Sequence, residues 1–260
     1  MIYVALISDT HEGITKRKSI AKMLDRLGDE PPIDILIHAG DYCGGVVGHR
    51  TLRSTVELVR EYLPHTHFLS VIGNHDYWHA GQRKNTFPSM RDFEHNYQQI
   101  LEIFKLNSVH FLDTDGPFRF EEFCFLGASG WYSHPNPPTN DINFLPRCIE
   151  GNTHTWMHKR AMQTFDRNLM LMGDLEEGEK LVFVSHFPVI EANDYKGRFS
   201  DFSWCSGIDK LLIEEYGCQY FLCGHAHSFH NGPLRYEAGS DYTEPKYQII
   251  ELGKDDETCN

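Results

Sequence analysis

No hydrophobic run in the 260 residues approaches the about 20 consecutive apolar positions that a membrane-spanning helix requires. The chain enters an apolar, strand-like run by residue 2, without the basic region and small-residue cleavage site of a secretory leader. Basic residues are in deficit: 24 Lys and Arg face 37 Asp and Glu, a formal net charge of −13. No Lys/Arg cluster marks a phosphate-backbone track. A long polyanion would meet a repulsive surface, so a nucleic-acid polymer is a disfavoured partner, although bound cations can invert the field locally. The seven cysteines, Cys43, Cys124, Cys148, Cys205, Cys218, Cys223 and Cys259, are odd in number, scattered and partly inside apolar runs. They lack the spacing of a disulfide framework and read as reduced residues of a cytoplasmic protein. Repeats, heptads and low-complexity tracts are missing too. The length fits a single domain, 1–260, with ample residues for a core.

What the chain does have is one grammar written five times: an apolar run, a small residue, then a potential metal ligand. The stretches are Ile2 to His11, Ile35 to Asp41, Phe68 to Asp76, Leu181 to His186 and Tyr220 to His227. Each apolar run has the length of a buried strand and ends in turn chemistry. Open α/β sheets bind ligands just beyond the carboxyl ends of such strands, so five distant tails can share one site.

The tails carry Asp9, His11, Asp41, Asn74, His186, His225 and His227. Imidazoles, carboxylates and one amide oxygen, with no thiolate, suit borderline divalent cations such as Mn, Fe or Zn. If one carboxylate bridges, seven ligands give four contacts to each of two cations. That is the arithmetic of a dinuclear hydrolytic centre. Asp9 and His11 are two apart, so in extended backbone they would point the same way.

Between the tails the pattern alternates. Helical spacing runs through 14–27, 51–63, 93–105, 154–172 and 207–216, the last closing at Gly217. Strands are expected near 109–113 and 118–127, and Tyr247 to Leu252 reads as an edge or second-sheet strand. The residues alone give α/β or α+β. Two stretches, near 77–92 and 131–160, are irregular, and the second holds Pro135, Pro137, Pro138 and Pro146. They either shape a substrate mouth or decorate the surface.

The order Asp-x-His, Gly-Asp, Gly-Asn-His-Asp, a lone His and Gly-His-x-His resembles the calcineurin-like metallophosphoesterases over residues 9–227. The resemblance implies a four-layer αββα sandwich of two facing mixed sheets, and two divalent metal ions. It implies that Asp9, His11 and His227 bind the first cation, that Asn74, His186 and His225 bind the second, and that Asp41 bridges. It also implies that His75, unligated, meets the substrate phosphate together with Asn74, while Asp76 orients His75 and keeps it cationic.

Each block has an ordinary explanation when taken singly. Asp9 could cap the following helix, Asp41 could be a turn aspartate, and Asn74-His75-Asp76 could be a hairpin turn. His186 could be a loop residue, and His225 with His227 an exposed alternating pair. Five blocks in register at five strand ends favour ligation. His154 and His158 lack the Glu of a zincin motif and read as surface residues. His65 and His67 read as a strand entrance, and His38 as a core or near-site group. His134 could touch substrate.

Two cations would ionise a shared water and hold a phosphate for in-line attack, so the chemistry is phosphoester hydrolysis of a small phosphorylated substrate. Protein phosphatases of the family carry Gly-Asp-x-Val-Asp-Arg-Gly. Here the text is Gly40-Asp41-Tyr42-Cys43-Gly44-Gly45. Without that arginine clamp a phosphodiester, of nucleotide type or other, is favoured over a monoester dianion. Trp78, Trp131, Tyr132, Tyr195 and Trp204 could stack on a base or pack in the core. A phosphomonoesterase, a nuclease and a metal-free interaction scaffold are the competing readings, in that order.

Overall fold

The computed structural model describes residues 1–12, 17–43, 49–77, 90–131, 153–190, 208–227, 229–231, 234–240 and 244–253. Trp78, Tyr132, His134, Tyr195, Trp204, Cys148, Cys205 and Cys259 lie outside them, as does most of the two irregular stretches. In chain order the elements are β1 (Ile2–Ile7), α1 (Arg17–Gly28), β2 (Ile35–Ala39), α2 (His49–Tyr62), β3 (His67–Val71) and the single turn α3 (Asn74–Tyr77). Next come α4 (Met90–Leu106), β4 (His110–Phe111), α5 (Leu112–Asp115), β5 (Phe118–Phe120), β6 (Phe123–Gly127) and α6 (Thr153–Met172). The chain continues through β7 (Lys180–Val184), α7 (Asp209–Tyr216), β8 (Tyr220–Cys223), β9 (Phe229–Asn231), β10 (Arg235–Ala238) and β11 (Tyr247–Leu252).

Strand parity builds four layers from these elements. Because side chains alternate across a strand, one set of positions can fill the space between sheets while the other meets helices. Val4, Leu6, Ile35, Ile37, Leu69 and Val71 join Phe123, Phe125, Val182, Val184 and Leu222 in one buried cluster between the sheets. Their neighbours Ala5, Ile7, Leu36 and Phe68 pack with Ile20 and Leu24 of α1, Val56 of α2 and Phe104 of α4. On the other side Leu126, Phe183 and Phe221 pack with Phe165 of α6 and Leu212 of α7. Each such side chain contributes about 1.5–3 kcal/mol by leaving water. The result is the expected αββα sandwich.

The first sheet has the order β11-β1-β2-β3-β4, and the second β5-β6-β7-β8-β10-β9. Strands β1 to β4 run parallel, as do β6, β7, β8 and β10, while β11, β5 and β9 are antiparallel to their neighbours. The carboxyl ends of β1, β2, β3, β7 and β8 therefore lie along one rim. Three details depart from the sequence expectations. The stretch 118–127 is a hairpin, because Glu121 adopts φ 50° and turns the chain. The strand near 109–113 shortens to two residues and gives way to α5. Strands β9 and β10, three and four residues long, add to the second sheet beyond the strands the pattern predicts.

Asp113 of α5 ties the rim together from behind. Its Oδ1 accepts the backbone N–H and the hydroxyl of Ser129, both at 2.9 Å. The Ser129 carbonyl in turn accepts the N–H groups of His186 and Phe187 at 3.1 Å. Burial pushes the Asp113 carboxyl from an ordinary 3.8 up to about 6, against the Ser129 hydrogen bonds that hold it down. The native state thus binds the proton more tightly than the unfolded chain, so stability is greatest below about pH 4 for this group and falls as pH rises toward 6. The expected loss is about 3 kcal/mol for a shift of this size. Denaturant titrations of wild type and Asp113→Asn between pH 4 and 7 should show a steeper fall in the wild type, because the raised Asp9 and Asp76 carboxyls contribute to both. Parallel curves would refute it.

Candidate metal centre

The five rim loops lie closer together than ordinary loops, and three glycines make the approach possible. A Cβ on Gly40 would come within 2.6 Å of the Gly73 nitrogen and 2.7 Å of His186 Nδ1. On Gly73 it would collide with Asp41 Oδ1, and on Gly224 with Ser8 Oγ. Backbone bonds then lace the loops: Asp9 N–H to Gly40 O at 3.0 Å, His11 N–H to Asp41 O at 3.1 Å, and Gly224 N–H to His186 O at 3.1 Å. Two further bonds cross between the sheets. His186 Nδ1 is 2.7 Å from Ala39 O, and the His225 N–H donates to Asp9 Oδ2 at 3.0 Å.

The backbone of the candidate ligand residues corrects one expectation. Asp9 and His11 are not extended; they have φ 53° and 45°, and Asp41, His225 and His227 have φ 58°, 70° and 52°. Five of the seven candidate ligands are thus left-handed non-glycine residues, a conformation costing about 1–3 kcal/mol each and held only by its surroundings. With this backbone both side chains of the Asp9–His11 pair join one donor group with His227, while His225 joins Asp41 and His186. Asp and His are among the residue types that enter this region most readily.

Two groups of donors result. Asp9 Oδ1 lies 3.8 Å from His11 Nε2 and 3.6 Å from His227 Nε2, and those two ring nitrogens are 3.3 Å apart. Asp9 Oδ2 is occupied by the Ser8 hydroxyl at 2.6 Å and the His225 N–H, whereas Oδ1 is buried without a hydrogen-bond partner. In the second group His186 Nε2 lies 3.2 Å from Asn74 Oδ1, 3.2 Å from His225 Nδ1 and 3.5 Å from Asp41 Oδ1. Asp41 also faces His75, whose Nε2 is 3.8 Å from Oδ2 and whose N–H donates to Oδ1 at 2.9 Å.

Burial sets the protonation of these groups. It lowers His11 to about 3 and His186 well below its usual range, in both cases with the neighbouring histidines adding to the effect. It raises Asp9. An orphaned carboxylate oxygen facing imidazole nitrogens is a set of donors converging on a point, and a divalent cation fits that arrangement.

Asp76 departs from its expected part. Its carboxylate accepts the N–H groups of Asp41 at 2.8 Å, Gly73 at 2.9 Å and Cys43 at 3.2 Å. It anchors two ligand loops, and the carboxylate beside the His75 ring is Asp41. Burial, with His11, His225 and His227 adding to it, lowers His75 to about 2, a direction that works against the cationic form the resemblance implies.

Some supporting residues escape a reading of the sequence. Ser8 holds Asp9 from the adjacent position, its only signal being that a small residue precedes the candidate ligand, whereas Ser129 holds His186 from far along the chain. His158, expected at the surface, meets the Trp131 carbonyl through Nδ1 at 2.7 Å. Trp131 packs in the core, its ring 5.2 Å from Phe187, which lies 4.1 Å from His225.

Fold and donor set together define a dinuclear metal hydrolase. The sequence profile of the calcineurin-like phosphoesterases matches residues 2–229, and the chain belongs to that family of two-metal phosphoester hydrolases. Its fold is similar to the phosphopantetheinyl hydrolase of Mycobacterium tuberculosis, with TM-score 0.64 and 18% identity over 91% of this chain and 88% of that chain. It is also similar to the protein TT1561 of Thermus thermophilus, with TM-score 0.57 and 11% identity over 92% of this chain and 89% of that chain. Comparison with curated proteins finds no match.

The glycine contacts give a direct test. Gly73→Ala should fold with unchanged circular dichroism yet bind less than two equivalents of Mn²⁺ after dialysis, because its methyl displaces Asp41. Full loading would show that the Asp41 loop has slack.

Proposed function

We propose that this chain hydrolyses a small phosphodiester, of nucleotide type or similar, in one domain whose stretches near 77–92 and 131–160 border the substrate mouth. In this reading Asp9, His11 and His227 hold one cation, Asn74, His186 and His225 hold the second, and Asp41 reaches both. The observation that carries it is the partnerless Asp9 Oδ1 facing two imidazole nitrogens, with Asp41 at the centre of the adjoining donors. Manganese, iron or zinc suits such donors. The location proposed is cytoplasmic, in keeping with four buried free thiols, Cys43, Cys124, Cys218 and Cys223. Among the described residues no helix is long and apolar enough to cross a membrane.

When bound, two cations supply Lewis acidity toward phosphate oxygens and a water that ionises near neutral pH. The chain supplies position and protons. Asn74 offers an amide oxygen to the site and stands beside the phosphate position. His75 lies at the joint of the two donor groups, its ring edge-on to His11 with centroids 4.8 Å apart. The imidazole there donates an N–H to a phosphate oxygen, and as the imidazolium it would give that proton to the leaving oxygen. Asp76 keeps the Asp41 and Gly73 loops in register beneath it.

The diester preference rests on the residues after Asp41. Tyr42 and Cys43 are buried, and Gly45 stands in the sequence at the position of the family's arginine, so this stretch offers no guanidinium to a monoester dianion.

With added Mn²⁺, bis-p-nitrophenyl phosphate should be cleaved faster than p-nitrophenyl phosphate, and Asp41→Asn should cleave neither. Preference for the monoester would replace the diesterase with a phosphomonoesterase. Absence of both activities and of metal would leave a scaffold. His75→Ala should lose about 10²–10⁴ in rate while keeping two cations. Because His75 also closes a group with His11 and Asp41 within 4.8 Å, loss of metal in that variant would make it a ligand.

A further inference from the structure

Where the first sheet meets its helices, the outer face beneath the metal centre carries polar groups in place of apolar ones. His38, Ser70 and Tyr42 are fully buried, and Thr10 nearly so. The His38 ring lies flat against Tyr42, with centroids 3.5 Å and planes 10° apart. Its Nε2 is 3.1 Å from Thr10 Oγ1, and that hydroxyl is 3.5 Å from the Tyr42 carbonyl. Tyr42 reaches Ser70 Oγ at 2.6 Å, and that oxygen lies 2.9 Å from the Val71 carbonyl and 3.2 Å from the His38 carbonyl. The four side chains close a loop.

The proton on His38 can be placed. Burial keeps the ring neutral, so one nitrogen carries hydrogen. His38 Nδ1 has no hydrogen-bond partner, and an orphaned N–H is rarer in protein interiors than an orphaned acceptor. The hydrogen therefore sits on Nε2 and is donated to Thr10, whose own hydroxyl turns toward the Tyr42 carbonyl.

Thr10 stands between the left-handed residues Asp9 and His11, Tyr42 follows left-handed Asp41, and Ser70 lies in β3 just before the Asn74 turn. The loop of side chains thus roots three ligand-bearing segments on the side away from the cations. Left-handed residues in such density persist only where the surroundings over-determine them. We infer that His38 is a positioning residue of the metal centre, which through Thr10 holds the Asp9–His11 turn and so sets the affinity of the Asp9, His11 and His227 site for its cation. The inference rests on the reading of those three residues as ligands.

The test is a Mn²⁺ titration of chelator-treated, full-length protein, followed by calorimetry and by the electron paramagnetic resonance of free Mn²⁺. His38→Leu keeps the volume and removes the bond to Thr10. His38→Gln returns an N–H near the Nε2 position. Loss of an outer-sphere partner commonly weakens a metal site about 10- to 100-fold. One of two Mn²⁺ equivalents should weaken by about that factor in His38→Leu, the other should stay as in wild type, and Gln should recover most of the loss. Thr10→Val should reproduce His38→Leu, and it carries the test should the leucine variant not fold. Wild-type affinity at both sites in His38→Leu and Thr10→Val would overturn the inference while leaving the metal centre standing. Equal weakening of both sites, in step with a fall in the melting temperature of the metal-free protein, would reduce His38 to a packing residue. A wild-type protein that binds no Mn²⁺ would remove the metal reading and this inference together.

Discussion

Two carboxylates, Asp9 and Asp41, are buried at the rim of the sandwich among imidazole rings, and burial disfavours the cationic form of His11 and His186. A lone carboxylate taken out of water costs several kcal/mol unless its oxygens find donors or a cation. At Asp9 the fold satisfies only part of that demand. Ser8 and the His225 N–H serve one of its oxygens and leave the other facing the ring nitrogens of His11 and His227. Asp41 accepts the His75 N–H and faces His186 from the other side. The surrounding loops are arranged around that unfinished electrostatic balance, which a divalent cation completes.

Concentrating so many donors has a cost in backbone freedom. A ligand loop of ordinary width would keep the two donor groups apart, so Gly40, Gly73 and Gly224 sit where a methyl would strike a neighbouring loop. The same crowding drives Asp9, His11, Asp41, His225 and His227 into left-handed backbone. Strain of this kind persists only above a rigid base, and the two sheets with their apolar interlayer provide it. The polar ties below the rim, from Asp113 to Ser129 and from His38 to Thr10, transmit that rigidity to the loops.

Much of this is legible in the sequence. Strands β1, β2, β3, β7 and β8 announce themselves because a strand buried on both faces must be a continuous apolar run, and the ligand follows where the run stops. The helices are legible from their spacing. The sign of φ at Asp9 or His225 is not, because Asp and His tolerate both extended and left-handed backbone and the neighbouring text does not choose. The role of Asp76 is hidden for a related reason: its partners are backbone N–H groups of Asp41 and Cys43, 35 and 33 residues away. Ser129 and Asp113, 16 residues apart, look like ordinary turn residues until the loops are placed. Strands β9 and β10 are too short to show a period.

The division of donors between the sheets has a consequence for how the protein comes into being. Asp9, His11, Asp41 and Asn74 follow strands of the first sheet, and His186, His225 and His227 follow strands of the second. Neither donor group is complete within one sheet, and the rings of His11 and His227, whose Nε2 atoms lie 3.3 Å apart, are separated by 216 positions along the chain. During synthesis the first four donors leave the ribosome long before the last three, and until β8 has docked they form no enclosed set. On the proposed ligand assignment, metal binding is therefore a closing event of maturation, because both donor groups need the two sheets in place.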